Sequence, residues 1–307
     1  MKLINPSFEI LEQGPGLQGI YKQIELAGRT CYKSRDKITD DSAEGFVNRM
    51  IASKHYAMLE HGTIYLAIPF SACETVEPGK QKPYNRYKYN QYSRIGYIQY
   101  FVPVTTNYRV LVENGWLDDL KYICEPTEFH EKRVTVRFTT NIGVSREFNR
   151  HRVNSIAEQS TRYCNYAKDK FNNELSVVLP KEFEGVDIGR KLNCCALVDY
   201  CGDPLQGLCT MISTDNTSDF TAIDYWLFAT LACEYSYMNL IRLGWKPQQA
   251  RRVLPLDLVT ELVHTAFVSG WNHFFDLRAR GTTGAPHPDA KALAEPLMHE
   301  FENRELI

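Results

Sequence analysis

The chain has 307 residues, 44% hydrophobic and 23% charged, with 35 lysines and arginines against 37 aspartates and glutamates. That composition supplies ample core and excludes a disordered chain, and a formal charge of -2 gives no electrostatic ground for a nucleic-acid or membrane partner. No run of about 18 apolar residues exists, so no helix is expected to span a bilayer. The opening Met1-Lys2-Leu3-Ile4-Asn5-Pro6 is too short and polar to read as a signal peptide. The nine cysteines are odd in number and include no C-x-x-C pair. They read as reduced thiols of a cytoplasmic protein, with no metal site and no disulfide framework. Length alone suits about two domains of ~150 residues, or one large one.

In chain order, Leu17 to Ala27 reads as a helix, with Ile20, Ile24 and Ala27 on one face. A second helix begins near Asp41 or Ser42, either of which can cap it. Thr63 to Pro69 reads as a strand. Residues 72 to 130 have a different texture and read as an insertion carrying a hairpin and a helix. No acidic residue occurs between Glu77 and Glu113, while Lys80, Lys82, Arg86, Lys88 and Arg94 alternate with Tyr84, Tyr87, Tyr89, Tyr92, Tyr97 and Tyr100. Ile95 to Val104 is β-prone, and Trp116 to Cys124 suits a helix.

Val134 to Phe138 is a strand by branching and alternation. Gly143 to Arg152 resumes a helical pattern, with Val144, Phe148 and His151 on one face. The longest helix runs from Thr221 to Leu243, with a capping box at Thr221 and Asp224 and Gly244 at its end. Being apolar nearly all round, it is expected at the centre of the core. Pro247 opens a short helix through Arg252. Thr260 to Phe267 is a strand, Ser269 caps a helix to Arg280, and Pro288 starts the last helix. Without a βαβ rhythm, the order predicts an α+β fold, as a single domain over 1–307 with the insertion at about 72–130.

Five local patterns carry chemistry. Arg150-His151-Arg152 places three cationic or switchable groups in a row, which repel unless something anionic lies between them. Glu158-Gln159-Ser160-Thr161-Arg162 offers short polar side chains and open amides, a turn able to cradle a phosphate, or simply a solvated charged turn. Arg251, in Ala250-Arg251-Arg252-Val253-Leu254-Pro255, suits a nucleotide contact or a helix C-terminus. Asp276-Leu277-Arg278-Ala279-Arg280, with His273 upstream, is a candidate site or an exposed face with i,i+4 pairing. Leu59-Glu60-His61-Gly62-Thr63 places a histidine at the start of a strand.

Taken in order, Glu60-His61-x-Thr63, Arg150-His151-Arg152-x7-Ser160, Arg162, Arg251-x-Val253-Leu254-Pro255 and Asp276-Leu277-Arg278 resemble the flavin-dependent thymidylate synthase family. Ala27-Gly28-Arg29-Thr30-Cys31 extends the resemblance into the first helix. It implies an α+β homotetramer with active sites shared between subunits. It also implies FAD as cofactor, dUMP as substrate, methylenetetrahydrofolate and NADPH as co-substrates, and no cysteine nucleophile. Carried over residue by residue, the resemblance implies dUMP contacts at Glu147, Arg150, Glu158, Gln159, Ser160, Thr161, Arg162, Arg251 and Arg278. Arg278 would be the catalytic arginine that ionises N3 of the uracil. FAD contacts would fall at His61, Thr63, Arg150, His151, Arg152, Glu158 and His273.

Some positions depart from the family. Where it commonly reads Asn-x-Arg, this chain has Phe267-Val268-Ser269; His273 replaces an asparagine; and Ala285-Pro286-His287-Pro288-Asp289 follows the uracil arginine. His130-Glu131 rivals Glu60-His61 as the start of the flavin-facing strand. Two other readings remain: a related pyrimidine-nucleotide enzyme transferring another one-carbon unit, such as hydroxymethyl, and a single-strand nucleic-acid binder using the basic tyrosine-rich segment.

Overall fold

The computed structural model describes residues 1–70, 83–198, 202–214 and 218–307. Lys80, Lys82, Cys73 and Cys201 therefore lie outside the described residues. The described strands are β1 (Lys2–Ile4), β2 (Ser7–Leu11), β3 (Thr63–Pro69), β4 (Arg94–Ile95), β5 (Phe101–Asn107), β6 (Arg133–Asn141), β7 (Ser155–Glu158), β8 (Ser176–Val178) and β9 (Val259–Phe267). The first helices are α1 (Gly16–Cys31), α2 (Ser42–Ala52), α3 (Pro83–Lys88), α4 (Tyr108–Asn114) and α5 (Ile142–Phe148). Then follow α6 (Ile188–Val198), α7 (Pro204–Ser213), α8 (Ala222–Arg242), α9 (Pro247–Ala250), α10 (Val268–Phe275) and α11 (Pro288–Asn303). The fold is α+β, as expected.

The chain divides into two compact units. The first comprises Met1–Pro6, Thr140–Gly143 and Ser160–Thr260; the second comprises Ser7–Thr139, Val144–Gln159 and Glu261–Ile307. In the first, β1 and β8 pair in parallel, Lys2 opposite Ser176. Ile188, Leu208, Ile223 and Leu227 form one apolar cluster, while Cys164, Tyr166, Tyr237, Ala250 and Leu258 form another. The expected capping box at α8 is present: Asp224 Oδ2 accepts from the Thr221 amide at 2.8 Å and from its hydroxyl at 2.6 Å. Gly244 ends the turn at φ +91°. The helix is not buried all round, however. Tyr225 is 54% exposed and Tyr235 61%, because its apolarity comes partly from aromatic residues on an outward face.

The second unit holds a four-stranded sheet in the order β2-β6-β9-β7, with β2–β6 and β7–β9 antiparallel. One face of β9 sends Leu262 and Ala266 into a cluster with Phe138, Phe148, Trp271, Phe274 and Phe301. The other sends Val263 toward α1, α2 and the sheet β3-β5-β4. The strand Thr63–Pro69 forms with the predicted bounds, and the β-prone stretch after it folds back as β4 and β5. β5 pairs with β3 along its length, Thr63 opposite Asn107 through Pro69 opposite Phe101. The Trp116–Cys124 stretch forms a 3-10 turn over Leu117–Tyr122.

Two helix boundaries and one helix cap differ from expectation. The helix expected over 143–152 ends at Phe148, so Arg150-His151-Arg152 sits on a turn. His151 nevertheless stays on the apolar side, and that is why the helical spacing seemed to continue. The helix expected to be capped by Ser269 starts at Val268, and Glu131 Oε1 accepts from the Ser269 amide at 3.0 Å. It then widens into a π turn over Asp276–Arg280. At α2 neither Asp41 nor Ser42 caps by its side chain; Ser42 Oγ instead bonds Glu25 Oε2 at 2.7 Å.

Gly28 is where α1 crosses closest to Phe46. A Cβ there would fall 2.4 Å from Phe46 Cζ, and the ring is fixed between the Arg29 and Arg49 guanidiniums. Gly28→Ala gains ~1 kcal/mol of helix propensity but loses up to ~3 kcal/mol to overpacking. A lower denaturant midpoint with unchanged slope is the expected result; a raised midpoint would show that the ring yields.

Candidate active site

In the first unit, the turn after Ser160 meets the start of the Arg251 turn. Tyr163 and Cys164 donate their amides to Ser160 O, closing the turn, and the Arg162 amide approaches Ser160 Oγ at 3.3 Å. Arg251 Nη1 donates to Thr161 Oγ1 at 3.2 Å across 90 residues of chain. The juxtaposition follows from packing: buried Cys164 and Ala250, next to each segment, share one apolar cluster with Tyr166 and Tyr237. Arg162 and Arg251 are both exposed. Two exposed guanidiniums beside short hydroxyl side chains make this turn a candidate anion site.

In the second unit, Arg278 is held inward. Its Nη1 donates to Glu147 Oε2 at 2.5 Å, its Nη2 to Glu147 O at 2.9 Å and its Nε to His151 Nε2 at 3.3 Å. Only 16% of the side chain is exposed. The expected i,i+4 pair on this segment is made by Asp276 and Arg280, at 2.9 Å, and does not involve Arg278. His151 packs against Phe274 at 5.0 Å and edge-on to His273 at 5.8 Å. Arg150, Arg152 and His273 are exposed, and neither arginine makes an ion pair among the described residues. Glu158 ends β7, its carboxylate accepting from Ser145 Oγ at 2.6 Å and Asn149 Nδ2 at 2.8 Å. Gln159 is buried, its amide bonded to Glu261 O.

His61 and Thr63 sit elsewhere. His61 is fully buried, with Nδ1 2.9 Å from Thr265 Oγ1. His151 lies toward His264, 6.4 Å between rings. Thr265 and His264 are consecutive on β9, and burial together with the charges of both His151 and His61 lowers the His264 pKa. Thr63 Oγ1 accepts from Arg133 Nη1 at 3.3 Å and lines a cavity of about 680 Å³ with Tyr65 and Arg133. β3 belongs to the three-stranded sheet, whereas β6 belongs to the sheet that carries the triplet's neighbours. His130 serves that region structurally, its Nε2 3.1 Å from Leu66 O.

Sequence reasoning did not single out Glu261, which is 7% exposed and gripped by Lys33 Nζ and Arg35 Nη2, each at 2.6 Å. The partners are more than 200 residues apart, so no local pattern marks them. No group of three or more potential metal ligands occurs among the described residues. No described helix is long and apolar enough to cross a membrane.

The chain matches the family model for thymidylate synthase complementing proteins (Thy1) over residues 113–304. It therefore belongs to that family. The matched stretch includes every predicted site residue except His61 and Thr63. No curated protein matches the sequence. Among solved structures it is similar to the UMP/dUMP methylase PolB from Streptomyces cacaoi bound with 5-Br dUMP: 15% identity, TM-score 0.40, covering 99% of this chain and 93% of that one. The same methylase bound with 5-Br UMP gives 14% identity, TM-score 0.41 and coverage of 99% and 92%.

Burial drops the His61 pKa from 6.5 to about 3, helped by Arg133, and that of His151 from 6.5 to about 4, helped by Arg278 and His273. Between pH 6.5 and 4 the unfolded chain thus binds protons that the folded chain refuses, and folded stability falls as pH falls through this window. Melting temperature should decline over it. His151→Gln should remove close to one proton from that slope; an unchanged slope would mean His151 titrates normally in the folded chain.

Proposed function

We propose that this chain is a flavin-dependent thymidylate synthase, converting dUMP to dTMP with methylenetetrahydrofolate, NADPH and FAD. The observation that carries the reading is the meeting of Arg251 with Thr161 beside Arg162. A phosphate dianion wants two guanidiniums and short hydroxyl donors, and this turn presents them. Membership of the Thy1 family supports a pyrimidine nucleotide as the substrate class.

Arg278 takes the base in this proposal. The C5 carbon of uracil must become electron-rich to attack a one-carbon unit. Guanidinium N–H groups beside the N3–O2 edge stabilise the negative charge that this requires. Arg162, Thr161 and Arg251 would hold the phosphate.

FAD is tested here by the chemistry of the donors. Arg150, Arg152 and His273 fit: they are exposed, and both arginines are free of carboxylate partners among the described residues. They would hold its anionic and polar parts. His61 is fully enclosed, its Nδ1 engaged by Thr265 and its Nε2 without a partner among the described residues. Bound flavin supplies the reducing electrons that complete the methyl group. Assembly as a homotetramer, cytoplasmic location and a single-domain organisation belong to the same proposal; exposed Tyr225 and Tyr235 on α8 offer a surface for subunit packing.

Purified protein incubated with FAD should retain flavin absorbance, and with dUMP, methylenetetrahydrofolate and NADPH should yield dTMP. A 5-hydroxymethyl product would move the assignment to another one-carbon transfer, and a colourless protein without product would refute the reading. Arg251→Ala and Arg162→Ala should raise the dUMP KM while leaving kcat within a few-fold, since phosphate binding is shared by ground and transition states. A loss confined to kcat would remove them from the phosphate site.

A further inference from the structure

We infer that His151 and Glu147 are positioning residues for Arg278. The inference rests on the proposed function, which gives Arg278 its role at the base.

Three acceptors close on the guanidinium: His151 Nε2 at Nε, Glu147 Oε2 at Nη1 and Glu147 O at Nη2. Every nitrogen is tied once. One N–H on each terminal nitrogen is left over, coplanar with the rest because the group is planar. Glu147 and His151 therefore work as a jig. They fix the plane of the guanidinium and decide which donors remain for a ligand. Misplacing such a group by an ångström costs about 10²-fold in rate.

His151 can do this only as a neutral ring with its proton on Nδ1, leaving Nε2 as acceptor. An imidazolium would offer no lone pair and would set like charges side by side. The ring has little freedom to leave: it is 7% exposed and packed against Phe274 and His273. The π turn over Asp276–Arg280 brings Arg278 to the bracket, and the Asp276–Arg280 pair secures that turn without using Arg278.

The test compares His151→Gln, whose amide oxygen can replace Nε2 as acceptor, with His151→Leu, which cannot accept, and adds Glu147→Gln. FAD affinity is read by fluorescence titration, and kcat and dUMP KM are measured at saturating FAD. His151→Leu should lose about 10²-fold in kcat with FAD affinity within a few-fold of the parent. His151→Gln should recover most of that loss, and Glu147→Gln should lower kcat more than it raises KM. Weakened FAD binding with kcat preserved at saturation would overturn the inference and make His151 a flavin contact. Nitrogen-15 NMR of the imidazoles in the unmodified protein gives a second reading that does not depend on turnover or on the Leu variant folding. His151 should show a protonated Nδ1 and a bare Nε2, and Arg278→Lys should shift the Nε2 resonance. A proton on Nε2 would overturn the inference. If the unmodified protein neither binds FAD nor converts dUMP while the tautomer is as stated, the proposed function fails and the bracket stands.

Discussion

The second unit is organised by one constraint: β9 is buried at all nine positions. A strand covered on both faces must find partners inside the protein for every polar side chain it carries. Thr265 bonds His61 Nδ1 and Thr135 Oγ1, each at 2.9 Å. Glu261 draws in Lys33 and Arg35. His264 is the exception: it meets Trp271 at 4.7 Å with its ring tilted, and neither ring nitrogen has a hydrogen-bond partner among the described residues. Glu261 and Thr265 thereby recruit distant segments, the end of α1 and the turn before β3. The polar residues of a buried strand fix where those segments sit as firmly as its apolar ones do. The cost of an unpartnered buried charge, several kcal/mol, keeps Lys33 and Arg35 on Glu261.

The arginines divide by exposure, and the division tracks what each is able to do. Arg162 and Arg251 are exposed, so water solvates them until a ligand brings its own charge. Their contribution comes from the Coulomb attraction of a dianion and is spread over all states of the ligand. Arg278 is mostly withdrawn from water and carries a carboxylate against it. Its field is partly neutralised before anything binds, so what it retains is direction. A preoriented donor is worth most where charge is still developing, because no reorganisation is needed at that moment.

Local pattern made much of the fold readable. Thr63–Pro69 alternates buried Ile64, Leu66 and Ile68 with half-buried Tyr65 and Ala67, and α8 announces itself by Thr221, Asp224 and Gly244. The errors have physical sources. The helix through 152 failed because Val144, Phe148 and His151 keep helical spacing, and a turn that returns His151 to the core satisfies the same spacing without a helix. Ser269 looked like a cap because its side chain suits one, but Glu131, 138 residues earlier in sequence, reaches the amide instead. Of the candidate site, the arginines and the Ser160 turn were legible as residue types. The Glu147–Arg278 pair, separated by 131 residues, was not. Glu147 lies three residues before the triplet, but its pairing with Arg278 comes from what the fold sets opposite it.

The triplet itself shows why sequence adjacency misleads about electrostatics. Three cationic groups in a row would repel, and an anion between them seemed the natural remedy. The structure relieves the repulsion differently. α5 ends at Phe148, and the following turn sends Arg150 and Arg152 to solvent while His151 goes inward. Burial and the Arg278 charge hold that imidazole neutral, so the middle member carries no charge to repel its neighbours. Solvent screens the outer two. The same neutrality lets the ring accept from Arg278. The burial that removes a charge from the triplet therefore supplies the lone pair that orients the arginine, and the two effects cannot be separated by substitution at the outer positions alone.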